Sequence, residues 1–385
     1  MDPEHASKGS GTVVSAPTFH DEDEYRPEPA APPPLPAWQD GSIRIGIHTS
    51  IAGDIVESLE IAHRLGANAL QIFSASPRMW PKVTAQASGK GLPTAEADRF
   101  RMRREQLGLG PLVVHDNYLI NLASPDRVLR ARSIQAFHDE VVRAMVLGAD
   151  FLVAHPGASR GNGLDQAVEV LALALRHATR GLRLGRLRIL MENTVGQGTM
   201  LGSRLEELKR ILDACPELDL GVCLDTAHLF AAGYPIHTPE GLERTLEAIE
   251  RTVGLNRVFV LHVNDSKAPL GSRVDRHEHI GKGRIGLEAF RRILTHPLLA
   301  GRPFILETPI DKPGDDRRNV QALWRLVGFE VKPSAGARDG FRVRTKRKKA
   351  KVGVRNSPQR RRERPSTHAQ GPERKSRGRG SRRKA

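Results

Sequence analysis

The stretch LGVCLDTAH, residues 220–228, is an apolar run that ends on an acid, with a histidine three residues further on. Its apolar residues do not alternate with polar ones, which is typical of a strand buried on both faces. Asp225, where the run ends, is of a residue type that binds metal ions. The stretch therefore predicts a buried strand that delivers a metal ligand at its carboxyl end.

The same pattern occurs eight times between residues 43 and 307, and most of the runs end on a residue able to bind metal. The runs are IRIGIH (43–48), ALQIF (69–73), LVVH (112–115), FLVAH (151–155), RILMEN (188–193), LGVCLD (220–225), VFVLH (258–262) and FILE (304–307). Helical stretches lie between them. Eight strands that alternate with helices predict a (β/α)₈ TIM barrel.

Two of the helices have recognisable ends. Residues 54–68, DIVESLEIAHRLGAN, have apolar residues at helical spacing. A second helix follows Ser124-Pro125, where we expect Ser124 to be the N-cap and Pro125 the first helical residue. Both stretches end in Leu-Gly-Ala, so Gly66 and Gly148 suit the C-terminal caps.

In a TIM barrel the carboxyl ends of all strands meet at one face, where active sites lie. Six strand ends carry metal-binding residue types, and three more candidates lie just beyond the sixth and seventh strands. The strand-end residues are His115, His155, Glu192, Asp225, His262 and Glu307, followed by His228, Asp275 and His277. A single histidine at a strand end is usually a hydrogen-bonded core residue, but coincidence at six strand ends is improbable. His48 also ends a strand. Two interpretations of it stay open: it supports a metal ligand, or it is a hydrogen-bonded core residue.

Imidazole and carboxylate groups suit Zn²⁺, with Mn²⁺ and Fe²⁺ as close competitors. Nine ligands exceed the needs of one ion and suffice for three if one carboxylate bridges two of them. Clustered metal ions suit phosphodiester hydrolysis, because they activate water and stabilise charge on the phosphate oxygens. The six strand-end residues are therefore the predicted catalytic set.

The net charge of +16 is unevenly distributed. Residues 1–40 are acidic and rich in proline, whereas residues 341–385 hold nineteen Lys and Arg against two Glu. The composition of both segments predicts disorder, since neither can bury enough apolar surface to fold alone. The predicted organisation is a leader over 1–40, a barrel over 41–331 and a basic tail over 332–385. A basic tail of this kind is expected to bind DNA or RNA non-specifically.

The chain has two cysteines, Cys215 and Cys223, which form neither a CxxC pair nor a disulfide framework. No apolar run reaches the length of a membrane span, and the acidic start does not resemble a secretory signal. We therefore expect a cytoplasmic protein, associated with the nucleoid if it acts on DNA, with no membrane partner.

Several long segments resemble the endonuclease IV family, over about residues 45–307. They include VVHDNYLINLASP (113–125), MENTVGQGTMLG (191–202), GVCLDTAHLFAAGY (221–234) and LHVNDSKAPLGSRVDRHEHIGKGRIG (261–286). The resemblance implies zinc-dependent cleavage of duplex DNA on the 5′ side of abasic sites, in base excision repair. It also implies trimming of blocked 3′ ends. We expect the enzyme to act as a monomer.

By the same resemblance, the nine candidates divide among three zinc ions. The first takes His115, His155 and Glu192; the second shares Glu192 and takes Asp225, His262 and Glu307; the third takes His228, Asp275 and His277. Arg78 in the loop SASPRMW and Tyr118 in HDNYLINL match family residues that enter the gap left by a flipped-out abasic nucleotide. Trp80 is expected to pack within its loop.

Two departures from the family are local. Ser76-Pro77 replaces the polar amides of some members, and Lys282 stands where members often carry Glu.

Two other functions remain alternatives. A sugar isomerase or epimerase of the same fold also uses strand-end carboxylates and histidines around a divalent metal. A non-catalytic nucleic-acid-binding protein would use the barrel as a scaffold and the tail for binding.

Overall fold

The computed structural model of the protein describes residues 42–80 and 94–329. Its centre is a closed barrel of eight parallel strands, with the first strand hydrogen-bonded to the last. The barrel strands are β1 (Arg44–Thr49), β2 (Ala69–Phe73), β3 (Leu112–His115), β4 (Phe151–Ala154), β5 (Arg188–Glu192), β6 (Gly221–Asp225), β7 (Val258–His262) and β10 (Pro303–Leu306). The predicted barrel and each of its eight strands are confirmed; the leader and the basic tail lie outside the described residues.

Helices cover the outside of the barrel. They are α1 (Ile55–Leu65), α2 (Thr94–Gln106), α3 (Arg127–Val146), α4 (Leu164–Thr179), α5 (Leu205–Asp213), α6 (Thr226–Ala232), α7 (Pro239–Thr252), α8 (Leu287–Thr295) and α9 (Asp315–Leu326). In α1, Asp54 caps the first turn and Gly66 ends the helix in the left-handed conformation, with φ 85°. Gly148 follows α3 with φ 68°, so both glycines take the conformation expected of C-terminal caps.

The N-cap predicted for α3 is wrong. The helix begins at Arg127, and its cap is Asp126, whose side chain accepts hydrogen bonds from the backbone N–H groups of Val128 and Leu129. A carboxylate satisfies two free N–H groups and interacts favourably with the helix dipole. The cap therefore lies two residues beyond Ser124, and Pro125 precedes the helix.

The core has two layers. Aliphatic and phenylalanine side chains fill the space between the sheet and the helices, and a smaller group fills the inside of the barrel. The inner group consists of Ala69, Val113, Phe151, Val153, Leu190, Cys223, Val260 and Ile305. The inside is packed so closely that a Cβ atom on Gly46 would lie 2.4 Å from the Cδ1 atom of Ile305. The barrel interior is thus a solid support for the side chains at its rim.

One excursion interrupts the barrel pattern. Between β7 and β10 the chain forms an antiparallel pair, β8 (Asp265–Ser266) and β9 (His277–Glu278). This excursion returns His277 to the carboxyl end of the barrel.

No helix among the described residues is both long enough and apolar enough to span a bilayer.

Candidate metal centre

The six strand-end residues predicted from the sequence lie together at the carboxyl end of the barrel. Four of them are the last residues of β3, β5, β6 and β7, and two follow β4 and β10 directly. They are His115, Glu192, Asp225 and His262, and then His155 and Glu307. Parallel strands in register place these positions at one rim, so residues distant in sequence become neighbours.

Glu192 lies at the centre of the cluster and is fully buried. Its Oε2 atom lies 3.1 Å from His115 Nε2 and 3.3 Å from His155 Nε2. Its Oε1 atom lies 3.1 Å from His262 Nδ1 and 3.2 Å from His228 Nδ1. Each oxygen therefore faces two imidazoles, which is the arrangement of a carboxylate that bridges two binding positions.

Asp225 joins the cluster to the residues beyond the strand ends. Its side chain caps α6 by accepting a hydrogen bond from the backbone N–H of His228 at 2.7 Å. Its Oδ2 atom lies 3.8 Å from the Nε2 atom of His277. Asp275 is half-exposed, and its two oxygens lie 3.4 Å from His228 Nε2 and from His277 Nε2.

Three overlapping groups of side chains offer ligand atoms within 4.8 Å of one another. The groups are His115, His155 and Glu192; Glu192, Asp225, His262 and Glu307; and Asp225, His228 and His277. The first two match the sets implied by the resemblance. The third contains Asp225 where the resemblance places Asp275, which nevertheless contacts both histidines of that group.

The hydrogen bonds of the imidazoles fix which nitrogen faces the cluster. His115 Nδ1 lies 3.0 Å from the carbonyl oxygen of Asp116, and His277 Nδ1 lies 3.3 Å from that of Glu307. A carbonyl oxygen can only accept, so Nδ1 carries a proton in both rings and Nε2 is the atom that faces the carboxylates. This orientation by a second partner is characteristic of metal-ligating histidines.

Two buried nitrogens of the cluster have no hydrogen-bond partner, Nδ1 of His155 and Nε2 of His277. The latter faces carboxylates of Asp225 and Asp275. A lone pair beside carboxylate oxygens is unfavourable unless a proton or a cation lies between them. The donor set of imidazoles and carboxylates thus fits divalent metal ions.

The pKa values of the cluster shift in both directions. Burial alone would raise the pKa of Glu192, but the surrounding imidazoles, first His262 and then His155, hold it well below its usual range. Burial lowers the pKa of His155 to about 4. A charged carboxylate and a neutral imidazole are the forms that bind cations. The other imidazoles differ, because neighbouring carboxylates outweigh burial: the pKa of His115 is raised to about 10, and those of His228 and His262 are raised as well.

Sequence reasoning missed the side chains that support the ligands. Gln71, buried in β2, has its Oε1 atom 2.8 Å from His262 Nε2 and donates from Nε2 to Glu307. Asn264 donates to Asp225 at 2.6 Å and accepts from the backbone N–H of Glu307. The sequence signal that could have identified Gln71 is the presence of a polar Gln inside the apolar run ALQIF. His48 lies 3.0 Å from the Gln71 amide nitrogen and 3.5 Å from Glu307, in the supporting position left open by the sequence.

The two predicted DNA-binding residues lie at the same rim. Arg78 is exposed in the loop after β2, and Tyr118, 60% exposed, follows β3. The Tyr118 ring packs edge-on against Phe73, with centroids 5.2 Å apart. Partial burial raises the pKa of Tyr118 to about 12, and the carboxylates of the cluster add to the rise. Its phenol is therefore neutral. Trp80 packs against the core with the Arg132 guanidinium 4.6 Å from its ring centre.

A buried carboxylate organises the loop after β9. Asp265 accepts hydrogen bonds from the backbone N–H groups of Gly281, Gly283 and Ile285 at 2.9–3.0 Å. A Cβ atom on Gly283 would lie 2.4 Å from Asp265 Oδ1, so this position requires glycine. Lys282, the departure from the family pattern, is exposed between the two glycines.

The fold and the donor set are those of a TIM-barrel metalloenzyme. Residues 59–339 match a family model described as a xylose isomerase-like TIM barrel. The chain is 51% identical over 293 residues to a protein named "Probable endonuclease 4" from Solibacter usitatus, covering 75% of this chain and 98% of the relative. The crystal structure of endonuclease IV from Thermus thermophilus is 39% identical, with a TM-score of 0.64, covering 74% of this chain and 98% of that chain.

The chain belongs to the endonuclease IV family. A D-tagatose 3-epimerase-like protein also has the same fold, with a TM-score of 0.55 over 74% of this chain and 97% of that chain. Its identity to this chain is 18%, so this likeness concerns the fold alone.

Proposed function

We propose that this protein hydrolyses the phosphodiester bond on the 5′ side of abasic sites in duplex DNA, as a step of base excision repair. The observation that carries the proposal is the position of Glu192, whose two oxygens each face two imidazoles at 3.1–3.3 Å. Family membership supports a hydrolase that cleaves DNA. Trimming of blocked 3′ ends belongs to the same proposal, since it breaks the same type of bond.

Nine residues are proposed to hold the metal ions, with Glu192 shared between two positions. They are His115, His155, Glu192, Asp225, His228, His262, Asp275, His277 and Glu307. Divalent ions bound there would supply a nucleophile at neutral pH and Lewis-acid stabilisation of phosphate charge. We propose three Zn²⁺ ions, with Mn²⁺ or Fe²⁺ as competitors at some positions.

The chain's own residues have separate tasks around that chemistry. The buried amides of Gln71 and Asn264 hold Glu307 and Asp225 in place, so the ligand geometry exists before substrate arrives. The neutral Tyr118 phenol and the Arg78 guanidinium at the rim are proposed to occupy the space left by the flipped-out nucleotide. The basic tail would hold DNA non-specifically, and the enzyme is proposed to act as a monomer associated with the nucleoid.

The third ligand group argues against the isomerase or epimerase alternative. Such an enzyme needs fewer metal ligands than the three overlapping groups provide. The non-catalytic alternative leaves the complete ligand set without a role. Metal analysis of the purified protein tests the isomerase or epimerase alternative, because we expect a third ion per chain, which such an enzyme lacks.

The proposed function is tested with a duplex that carries one abasic-site analogue. We expect a single cut on the 5′ side of the analogue, leaving a 3′-hydroxyl, and no cut in the undamaged duplex. Treatment with a chelator should abolish cleavage, and added Zn²⁺ should restore it. Cleavage by protein shown to be free of metal would contradict the proposal.

Replacing both Arg78 and Tyr118 with alanine should weaken binding of the abasic duplex. The expected loss is about 1–3 kcal/mol for each stacking interaction removed. Metal content should stay unchanged, because neither residue belongs to the ligand groups. Binding titrations with abasic and undamaged duplexes measure the effect. A double variant that binds and cuts like the parent would show that these loops do not hold the damaged site.

A further inference from the structure

One buried side chain joins the two loops that carry Arg78 and Tyr118. The Nδ2 atom of Asn117 donates hydrogen bonds to the carbonyl oxygens of Ser76, at 2.9 Å, and Met79, at 3.0 Å. These two carbonyls bracket Arg78 in the sequence. The Oδ1 atom of Asn117 accepts from the backbone N–H of Leu119 at 2.8 Å, so the same carboxamide also fixes the backbone on both sides of Tyr118.

The Asn117 carboxamide is well suited to this position. The residue is 4% exposed, and two donors and one acceptor are used in three short bonds. Removing the side chain would leave two loop carbonyls and one N–H without these partners, at a site from which water is largely excluded. The link that this amide provides between the two loops would then be broken.

The base of the Arg78 loop is held by a second buried network. Ser74, the first loop residue after β2, donates its hydroxyl to Glu140 and accepts a hydrogen bond from Arg143 Nε at 2.8 Å. Glu140 and Arg143, both on α3, also form an ion pair at 2.9 Å. The loop is therefore fixed at its start by α3 and in its middle by Asn117.

We propose that Asn117 is a positioning residue that holds Arg78 and Tyr118 as one preformed unit for recognition of damaged DNA. The inference rests on the proposed function. A loop that is already ordered loses little conformational entropy when DNA binds. More of the energy of its contacts therefore contributes to affinity. Asn117 acts through the two recognition residues and touches neither the metal-facing atoms of the proposed ligands nor the scissile bond.

The first test replaces Asn117 with alanine. We expect affinity for the abasic duplex to fall about three- to tenfold, the scale of ordering one or two side chains. The kcat at saturating DNA, the metal content and the affinity for undamaged duplex should change little. Asn117→Leu keeps a side chain of similar size and loses both donors and the acceptor, so it should weaken binding in the same direction even if the alanine variant is unstable.

Asn68 provides a matched control. Its carboxamide also joins two backbone groups, donating to the carbonyl oxygen of Ile43 at 2.9 Å and accepting from the N–H of Ile45 at 2.7 Å. These contacts lie beside the start of β1, at the opposite end of the barrel from the metal centre. Asn68→Ala should leave affinity for the abasic duplex unchanged, and a loss equal to that of Asn117→Ala would overturn the inference.

The decisive comparison repeats Asn117→Ala in the Arg78→Ala, Tyr118→Ala background. If Asn117 acts through these two residues, its replacement should cause no further loss there. A loss of the same size in both backgrounds would show a general structural role and overturn the inference. A double variant that already binds like the parent would remove its premise, while the cleavage and chelator assay still decides the proposed activity separately.

Discussion

Replacing Glu192 with alanine should lower the rate of cleavage of abasic DNA by at least about a thousandfold. The reason is that several kcal/mol of transition-state stabilisation depend on the ions that Glu192 is proposed to bridge. The Glu192 carboxylate faces four imidazoles, so its loss should also reduce the number of bound ions. Metal analysis and a single-turnover cleavage assay measure the two effects on the same preparation.

The fold should survive this replacement. The backbone of β5 pairs with β4 and β6 independently of the Glu192 side chain, and circular dichroism should match the parent. Glu206→Ala is a suitable control, because Glu206 is exposed on α5 and lies outside the three ligand groups. A Glu192→Ala protein that keeps its metal ions and its activity would refute the bridging role.

Cutting the chain after Gly340 should have the largest effect on non-specific DNA binding. The removed segment, residues 341–385, carries nineteen Lys and Arg against two Glu. For every phosphate that the shortened chain no longer neutralises, the log–log salt dependence of binding should become shallower by about 0.9. Cleavage at low salt should remain nearly intact, because every proposed metal ligand lies before residue 308.

Deletion of residues 1–40 provides the complementary test. This acidic segment can compete with DNA for the basic tail, so its removal should tighten binding of undamaged duplex at low salt. Titrations over a salt series on the parent and both truncated forms measure the two effects together. Identical slopes with and without residues 341–385 would mean that the tail does not contact DNA.

The barrel was predictable because its strands are read from local composition. Each of the eight apolar runs became a strand, since burial on both faces demands uninterrupted apolar residues. The position of the α3 cap was not predictable with equal security, because Ser124 and Asp126 are both good N-caps and the choice depends on how the chain leaves the barrel. The β8–β9 pair was missed because two-residue strands leave no periodic signal.

The candidate site likewise has residues that the sequence predicts and residues that only the structure identifies. Strand ends identify His115, Glu192 and His262, because barrel geometry brings such positions together. The roles of Gln71 and Asn117 depend on partners far along the chain or on the exact course of a loop. Hydrogen-bonding residues of this kind have no characteristic spacing, so only the folded structure reveals them.

Closure of the barrel by β1 and β10 has a consequence for biosynthesis. Glu307 follows β10 directly and is the last proposed ligand to leave the ribosome, 192 residues after His115 by the numbering of the chain. The residues of the first ligand group all precede residue 193, whereas the second group stays incomplete until β10 docks between β7 and β1. Metal binding by the complete set of proposed ligands would therefore require nearly the whole barrel, and a ribosome-bound fragment ending before β10 would lack Glu307.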